Sequence, residues 1–388
     1  MKKKRVFALL STILLMLGLL AGCSSSESGG EGGEGDIIKI GVNLELTGES
    51  EFIGKSIEQG LDLALKHVNE EGIGGKTIEL VKIDNKSSED EAKSGATKLI
   101  DDDKVIAIIG SGTNETTLAQ IDIAQEKKIP LITPTGMDAS LTSQEYVFRT
   151  TFIDSYQGPA AANFASQDLS LKNAVILIDN ASDYSKNLAE SFKNAFEENG
   201  GKVVSEEEYS SGDTDFAAIL ANVQSANPEF LYVPGHYEEV GLILKQAREL
   251  GLKIPFIGGD GWDSAELGNI SGKQMLTNAF ITTHYTSKDK DKAVATFVRK
   301  FKEKNTGQVA NTYSALGYDT VFLLADAIKR AGSADPEKIQ EALAATDGLA
   351  LITGTLTFDA DRNPLKSITI IEYKDGIQQF IKKIEPKE

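Results

Sequence analysis

The chain reads as an α/β protein built of two doubly wound parallel-sheet lobes. Three observations carry that reading. Short apolar strands alternate with amphipathic helices, the alternation runs through one set and then restarts, and the roughly 350 residues beyond the N-terminal leader suit two separate cores. Strand–helix–strand spacing of this kind calls for parallel strands covered by helices on both faces, joined by right-handed crossovers.

In the first set, Ile37 to Leu44 is a strand, followed by a loop containing Gly48. A helix over Ser56 to Glu71 aligns Ile57, Leu61, Ala64, Leu65 and Val68 on one face, and Gly72 stops it. Strands at 76–83, 105–110 and 129–133 then alternate with helices at 89–101 and 116–127. The second set opens with a strand over 174–178 and a helix over 185–199 whose Leu188, Phe192, Ala195 and Phe196 face inward. Strands from Val203, at 230–233 and at 255–258 follow, with helices marked by Phe216, Ile219, Leu220 and Val223 and over 238–250. Two long helices are expected at 290–304 and 313–331. A shorter one begins at Asp335-Pro336, where Asp supplies the N-cap and Pro the first-turn residue. A strand at 355–358 precedes a closing hairpin, 367–373 and 377–381, around Asp375-Gly376.

Ahead of these elements lie the basic head Lys2-Lys3-Lys4-Arg5 and an apolar run from Val6 to Leu20, shorter than the ~20 residues of a bilayer-crossing helix. Basic head, short apolar core and small residues at the end make residues 1–22 a signal peptide. Cys23, the chain's sole cysteine, has no disulfide partner. Residues 23–36 are rich in Ser, Gly and Glu, a solvated tether with nothing to bury.

The chain carries 58 Asp+Glu against 40 Lys+Arg, a formal charge of −18, and the body is more acidic once the basic leader is removed. That balance opposes nucleic-acid binding, which depends on Lys and Arg neutralising phosphates, and it gives no hold on anionic lipid. A soluble monomer is expected. His67, His236 and His284 show no metal-ligand spacing. No His-Glu-x-x-His, Gly-x-Ser-x-Gly or Walker A sequence occurs, so neither an enzyme nor a cofactor or metal is expected. Ligands of doubly wound sheets sit beyond the carboxyl ends of the strands. The loops at 46–54, 110–117, 133–138 and 258–264 are therefore the places for a site. The second of these, small and hydroxyl-rich, enters a helix whose free N–H groups suit a carboxylate, or are simply capped by Thr113 or Asn114.

Leu20-Ala21-Gly22-Cys23 resembles the lipobox of bacterial lipoproteins, in which the cysteine is lipidated and becomes the first mature residue. The body resembles the branched-chain amino acid binding proteins of ABC importers. The matching stretches are Ile40-Gly41-Val42, Leu46-Thr47-Gly48, Ile108-Ile109-Gly110-Ser111, Ile129-Pro130-Leu131-Ile132-Thr133-Pro134, Phe148-Arg149-Thr150-Thr151, Asp154-Ser155-Tyr156-Gln157-Gly158, Gly258-Gly259-Asp260-Gly261 and Thr355-Leu356-Thr357-Phe358-Asp359. They run in order along nearly the whole mature chain.

The resemblance implies a periplasmic binding protein type I fold with a three-segment hinge. Lobe one would comprise 37–152 and 284–362, and lobe two 153–283 and 363–388. It implies a Leu/Ile/Val-type ligand held in the interlobe cleft, with permease subunits as partners. The protein would be lipid-anchored through Cys23 outside the cell, on a Gram-positive-like cytoplasmic membrane. The loop with Thr113 and Asn114 would take the ligand carboxylate, and the turn Thr135-Gly136-Met137 would offer the Thr135 carbonyl to the ammonium. Asp260 would be the counter-ion, and Phe52, Tyr184 and His236 would wall the pocket. Trp262 either lines the cleft or packs within lobe two. Two positions depart from the family: Asn114 stands for a usual serine and Met137 for a usual threonine. That leaves open an amide, an aromatic acid or another small amphiphile as ligand, or a sensor reporting to a signalling partner.

Overall fold

The computed structural model describes residues 37–385; Cys23, the leader and the tether lie outside the described residues. The first part of the chain forms β1 (Ile37–Leu44), α1 (Glu51–Glu71), β2 (Thr77–Asp84), α2 (Glu89–Asp101), β3 (Ile108–Ile109), α3 (Asn114–Lys127), β4 (Leu131–Thr133) and β5 (Val147–Arg149). Their strands make one all-parallel sheet of order β2-β1-β3-β4-β5. The next part runs α4 (Asp154–Asn163), β6 (Asn173–Asp179), α5 (Asp183–Glu198), β7 (Lys202–Tyr209), α6 (Ala217–Ala226), β8 (Phe230–Tyr232), α7 (Tyr237–Glu249), β9 (Phe256–Gly258), α8 (Leu267–Ser271) and β10 (Ala279–Thr283). The remainder is α9 (Lys292–Lys304), α10 (Thr312–Ala331), α11 (Pro336–Ala344), β11 (Leu349–Leu351), β12 (Gly354–Phe358), β13 (Pro364–Leu365), β14 (Ile368–Lys374) and β15 (Ile377–Ile384).

The second sheet has the order β15-β14-β10-β9-β8-β6-β7. Five of its strands are parallel, and the hairpin β14–β15 adds two antiparallel strands at one edge. The hairpin turns on Asp375 and Gly376, both at positive φ, as a tight two-residue connection requires. Strands β11, β12 and β13 form a small antiparallel sheet of their own.

The two large sheets are mostly parallel and covered by helices, the doubly wound α/β architecture expected from the sequence. Both large sheets bury both faces, which is why their strands read as apolar runs. One face of the first sheet packs on α1, α9 and α10, the other on α2 and α3. α10 belongs beside the first sheet because α1 and α10 approach closely at two glycines. A Cβ on Gly60 would lie 2.0 Å from the Ser314 carbonyl oxygen, and one on Gly317 2.5 Å from that of Ile57. Polar N-caps start several helices, Ser88 for α2, Ser182 for α5, which begins two residues earlier than expected, and Asp335 for α11, as expected.

Besides β11 and β13 of the small sheet, two strands of the large sheets were not anticipated, β5 and β10. β5 contains Arg149, wholly buried, and β10 is a five-residue run ending in two threonines, so neither offers a clean apolar signal. The chain passes between the two large sheets three times, after β5, after β10 and before β14. The passages are tied together. His284 Nε2 lies 2.9 Å from Thr151 Oγ1, and buried Lys366 donates to the Thr150 carbonyl at 3.0 Å and to Thr353 Oγ1. No helix among the described residues is long and apolar enough to cross a membrane.

Candidate functional site

A cleft of about 720 Å³ opens at the carboxyl ends of strands from both sheets, where doubly wound folds place their ligands. The first sheet contributes the loops after β1, β3 and β4. The loops after β3 and β4 are joined: Thr133 Oγ1 donates to the Ser111 carbonyl at 2.8 Å and Thr135 Oγ1 to the Gly112 carbonyl at 2.6 Å. Arg149 fixes the second loop from below, donating to the carbonyls of Gly136 (3.1 Å) and Asp138 (2.7 Å); burial lowers its pKa to about 10.

A helix start normally leaves several N–H groups unpaired. At α3 the buried carboxylate of Glu45 has taken the N-cap N–H of Thr113, and that of Gly112 just before it. Glu45 accepts from Gly112 N at 2.9 and 3.2 Å, from Thr113 N at 3.3 Å, and from the Thr116 hydroxyl. Burial raises its pKa, and these donors oppose the rise. Thr113 is the N-cap, its side chain accepting from Thr116 N. Asn114 turns its Oδ1 onto the next loop, accepting from Met137 N at 2.9 Å and Asp138 N at 3.2 Å. Among the described residues, the N–H groups of Asn114 and Glu115 and the Thr135 carbonyl remain without a hydrogen-bond partner.

The second sheet supplies Asp260 in the loop after β9. It is buried, and Oδ1 accepts from Gln157 Nε2 at 3.0 Å and from the Tyr184 hydroxyl at 3.1 Å. Burial raises its pKa, partly offset by these two bonds. His284 Nε2 stands 3.8 Å from Oδ2, but burial, with Lys366 nearby, holds this imidazole well below its usual pKa, so it is neutral at pH 7. The two donors that hold Asp260, Gln157 and Tyr184, are both neutral. A buried carboxylate without a cation is costly, and an arriving ammonium would remove that cost.

Aromatic rings wall the space between the two faces. Phe52 on α1 meets Tyr237 of α7 at 4.8 Å between ring centroids and Tyr313 of α10 at 6.0 Å, and Tyr184 stacks on His236 at 5.2 Å. The faces also touch where Asn187 Nδ2 donates to Asp138 Oδ2 (2.9 Å) and where Asp263 Oδ2 accepts from Thr312 N (2.7 Å).

Of the residues expected from the sequence, Phe52, Thr113, Asn114, Thr135, Met137, Tyr184, His236 and Asp260 line the cleft. Two expectations need correction. Gly136 does not line it; its N–H is bonded to Thr133 Oγ1, its carbonyl is held by Arg149, and a Cβ there would meet Leu141 at 2.7 Å. Trp262 is fully buried in the apolar core of the second sheet, with Nε1 donating to the Val233 carbonyl at 2.9 Å. Met137 faces the cleft but also packs into the apolar cluster of Phe152, Ala161 and Leu188. Glu45, Tyr237 and Tyr313 were not anticipated. Among the described residues, no group of three or more His, Cys, Asp or Glu is placed to hold a metal.

Comparison with known proteins agrees with this geometry. A curated relative, the leucine-, isoleucine-, valine-, threonine- and alanine-binding protein of Pseudomonas aeruginosa, is 30% identical over 89% of this chain and 93% of its own. The solved leucine-binding protein LivK of Thermotoga maritima is 37% identical over 90% of this chain and 99% of that one, with a TM-score of 0.84. LivJ of Streptococcus pneumoniae, a branched-chain amino acid transporter substrate-binding protein solved with isoleucine, is 34% identical over 90% and 100%, TM-score 0.85. A more distant structure of the same fold, a Rhodopseudomonas palustris solute-binding protein, holds benzoate (25% identity, 90% and 97% coverage, TM-score 0.81). These relatives are binding proteins, not enzymes. The family model for periplasmic binding proteins matches residues 37–377, and the chain belongs to that family.

Proposed function

We propose that this chain is the extracytoplasmic solute-binding subunit of an ABC importer, and that it captures a branched-chain amino acid in its cleft for delivery to the permease. The observation that carries the reading is Asp260, a buried carboxylate held by neutral donors only, facing a cleft walled by Phe52, Tyr237 and Tyr313. An amino acid brings an ammonium to that carboxylate and a hydrocarbon chain to those rings. Its carboxylate falls to the free amides at the start of α3 and to the Asn114 side-chain amide. Contacts from both faces make the ligand itself a stabiliser of closure, since it binds the closed arrangement more tightly than the open one.

Supporting the amino-acid reading are the relatives that bind leucine, isoleucine and valine. Calorimetric titration with each of the twenty amino acids tests it. Saturable binding of leucine, isoleucine or valine is expected, and no heat with any of the three would refute it. The anchor is a separate part of the proposal: Cys23 carries lipid and holds the protein at the membrane through the tether. Cys23→Ser should release the protein into the medium with its ligand affinity intact. A Cys23→Ser protein that stays with the membrane fraction would disprove the anchor.

A further inference from the structure

We infer that the cleft selects its ligand by the ammonium group and the apolar chain and gives the carboxylate only a loose hold. A branched-chain amino acid amide would then be accepted alongside the amino acid, while the deaminated acid is refused. This rests on the amino-acid reading of the same cleft.

Two independent observations point this way. The first is that the anion-receiving groups of the first face are largely satisfied from within. Glu45 fills Gly112 N and Thr113 N, and the Asn114 side chain fills Met137 N and Asp138 N. A carboxylate entering from solvent finds what is left, the Asn114 and Glu115 amides and Asn114 Nδ2. An uncharged carboxamide oxygen can accept from the same groups, so losing the ligand's negative charge removes little.

The second observation is the sign of the surrounding field. Glu49, Glu115, Glu238, Glu239 and Asp260 all line the cleft, with the Glu45 carboxylate behind its floor. No lysine or arginine lines it among the described residues. A confined site lined by one sign of charge concentrates ligands of the opposite sign and repels those of its own. A zwitterion is tolerated because its ammonium meets Asp260. A monocation is better matched still, and a monoanion has no cation to meet. The same argument disfavours an aromatic acid as the natural ligand of this chain, although benzoate occupies a distant relative.

The test compares leucine, leucinamide and 4-methylpentanoate in the same calorimetric titration, at a pH where the leucinamide amine is protonated. Leucinamide should bind within about tenfold of leucine, and 4-methylpentanoate about a thousandfold more weakly or not at all. If leucine binds and leucinamide is more than a thousandfold weaker, the carboxylate is firmly gripped and this inference fails, while the amino-acid reading stands. If none of the three binds, and isoleucine and valine also fail, the amino-acid reading falls and this inference with it. Glu45→Gln, which keeps an acceptor on Gly112 and Thr113 but removes the charge, adds a second measurement. It should move the leucine-to-leucinamide preference about tenfold towards leucine. An unchanged preference in a variant with wild-type circular dichroism would overturn the role given to Glu45.

Discussion

The face of the cleft built on the first sheet presents backbone N–H groups, and most of them are already bonded, to Glu45 or to Asn114. The opposite face presents a carboxylate, Asp260, and supplies it with neutral donors only, Gln157 and Tyr184. One face is internally satisfied; the other is left with a charge to be matched. The contrast locates the binding energy. A buried ion kept without a counter-ion gains most from a ligand, whereas amides that have acceptors gain little from a new one.

The largest effect should follow from breaking the second face. Asp260→Ala removes the proposed acceptor of the ammonium and should weaken leucine by about 3–5 kcal/mol, the usual cost of removing one partner from a buried ion pair. Titration calorimetry would read this as loss of measurable binding. Affinity unchanged within threefold would mean that the ammonium lies elsewhere. Glu45 offers the complementary test on the first face, where the change is one of preference.

The neighbouring carboxylate Asp263 sharpens the comparison, because it is also buried but is matched across the lobes instead of by a ligand. It accepts from Thr312 N and Gln378 Nε2, and burial pushes its pKa up to about 6. With a folded-state pKa above the ordinary 3.8, this group favours the folded state at low pH, fully below about 4. That contribution is lost as pH rises through about 6. At pH 7.5 the ionised form costs roughly 3 kcal/mol. Asp263→Asn keeps an acceptor for Thr312 N without the charge. It should raise stability at pH 7.5 by up to that amount, and the gain should disappear by pH 4. Urea midpoints at the two pH values check this, and an equal gain at both would show that ionisation is not the cause.

How far the sequence revealed this site depends on the distance over which each contact is made. The loops that hold Thr113, Asn114, Thr135 and Asp260 were legible because they directly follow strands, where the fold class places ligands, while the roles of Asn114, Thr135 and Asp260 came from the family resemblance. Phe52, Tyr184 and His236 came from family resemblance and do line the cleft. Glu45 was not legible. It follows β1 like any loop residue, and nothing local announces that its carboxylate reaches a helix start 67 residues further on. Trp262 stands two residues after Asp260 and still turns into the core, where the indole fits over Gly258; a Cβ there would lie 2.4 Å from the ring. The alternation of strands and helices was legible along most of the chain, though α4 and α8 were not anticipated. β5 and β10 escaped because a buried arginine and paired threonines do not read as apolar.

Met137 tests whether the first face is as passive as its hydrogen bonds imply. Its N–H is held by Asn114, and its side chain is buried in the apolar cluster of Phe152 and Leu188. Met137→Thr puts a hydroxyl into that cluster and leaves a small cavity. The expected result is a loss of stability of about 1–3 kcal/mol with leucine affinity changed by less than threefold. A gain of tenfold or more in affinity would mean that the threonine hydroxyl reaches the ligand, and that this face takes a larger part than its hydrogen bonds imply.

The smallest effect concerns the edge where the two faces meet. Phe52 belongs to α1 and Tyr237 to α7, on opposite sides of the cleft, and their rings lie 4.8 Å apart at an interplanar angle of 57°. Aromatic pairs of this kind contribute about 0.5–1.5 kcal/mol beyond the area they bury. The pair forms only while the faces are together, so its energy belongs to closure and hence to ligand affinity, not to the folding of either sheet. A double-mutant cycle with Phe52→Leu and Tyr237→Leu should therefore show a coupling of about 1 kcal/mol in leucine binding. The same cycle on urea unfolding without ligand should show almost none. Equal coupling in both measurements would mean that the faces are already held together in the empty protein. In that case Asp260 would be shut away from solvent before any ammonium arrives, and its unmatched charge would burden the empty protein as well as attract the ligand.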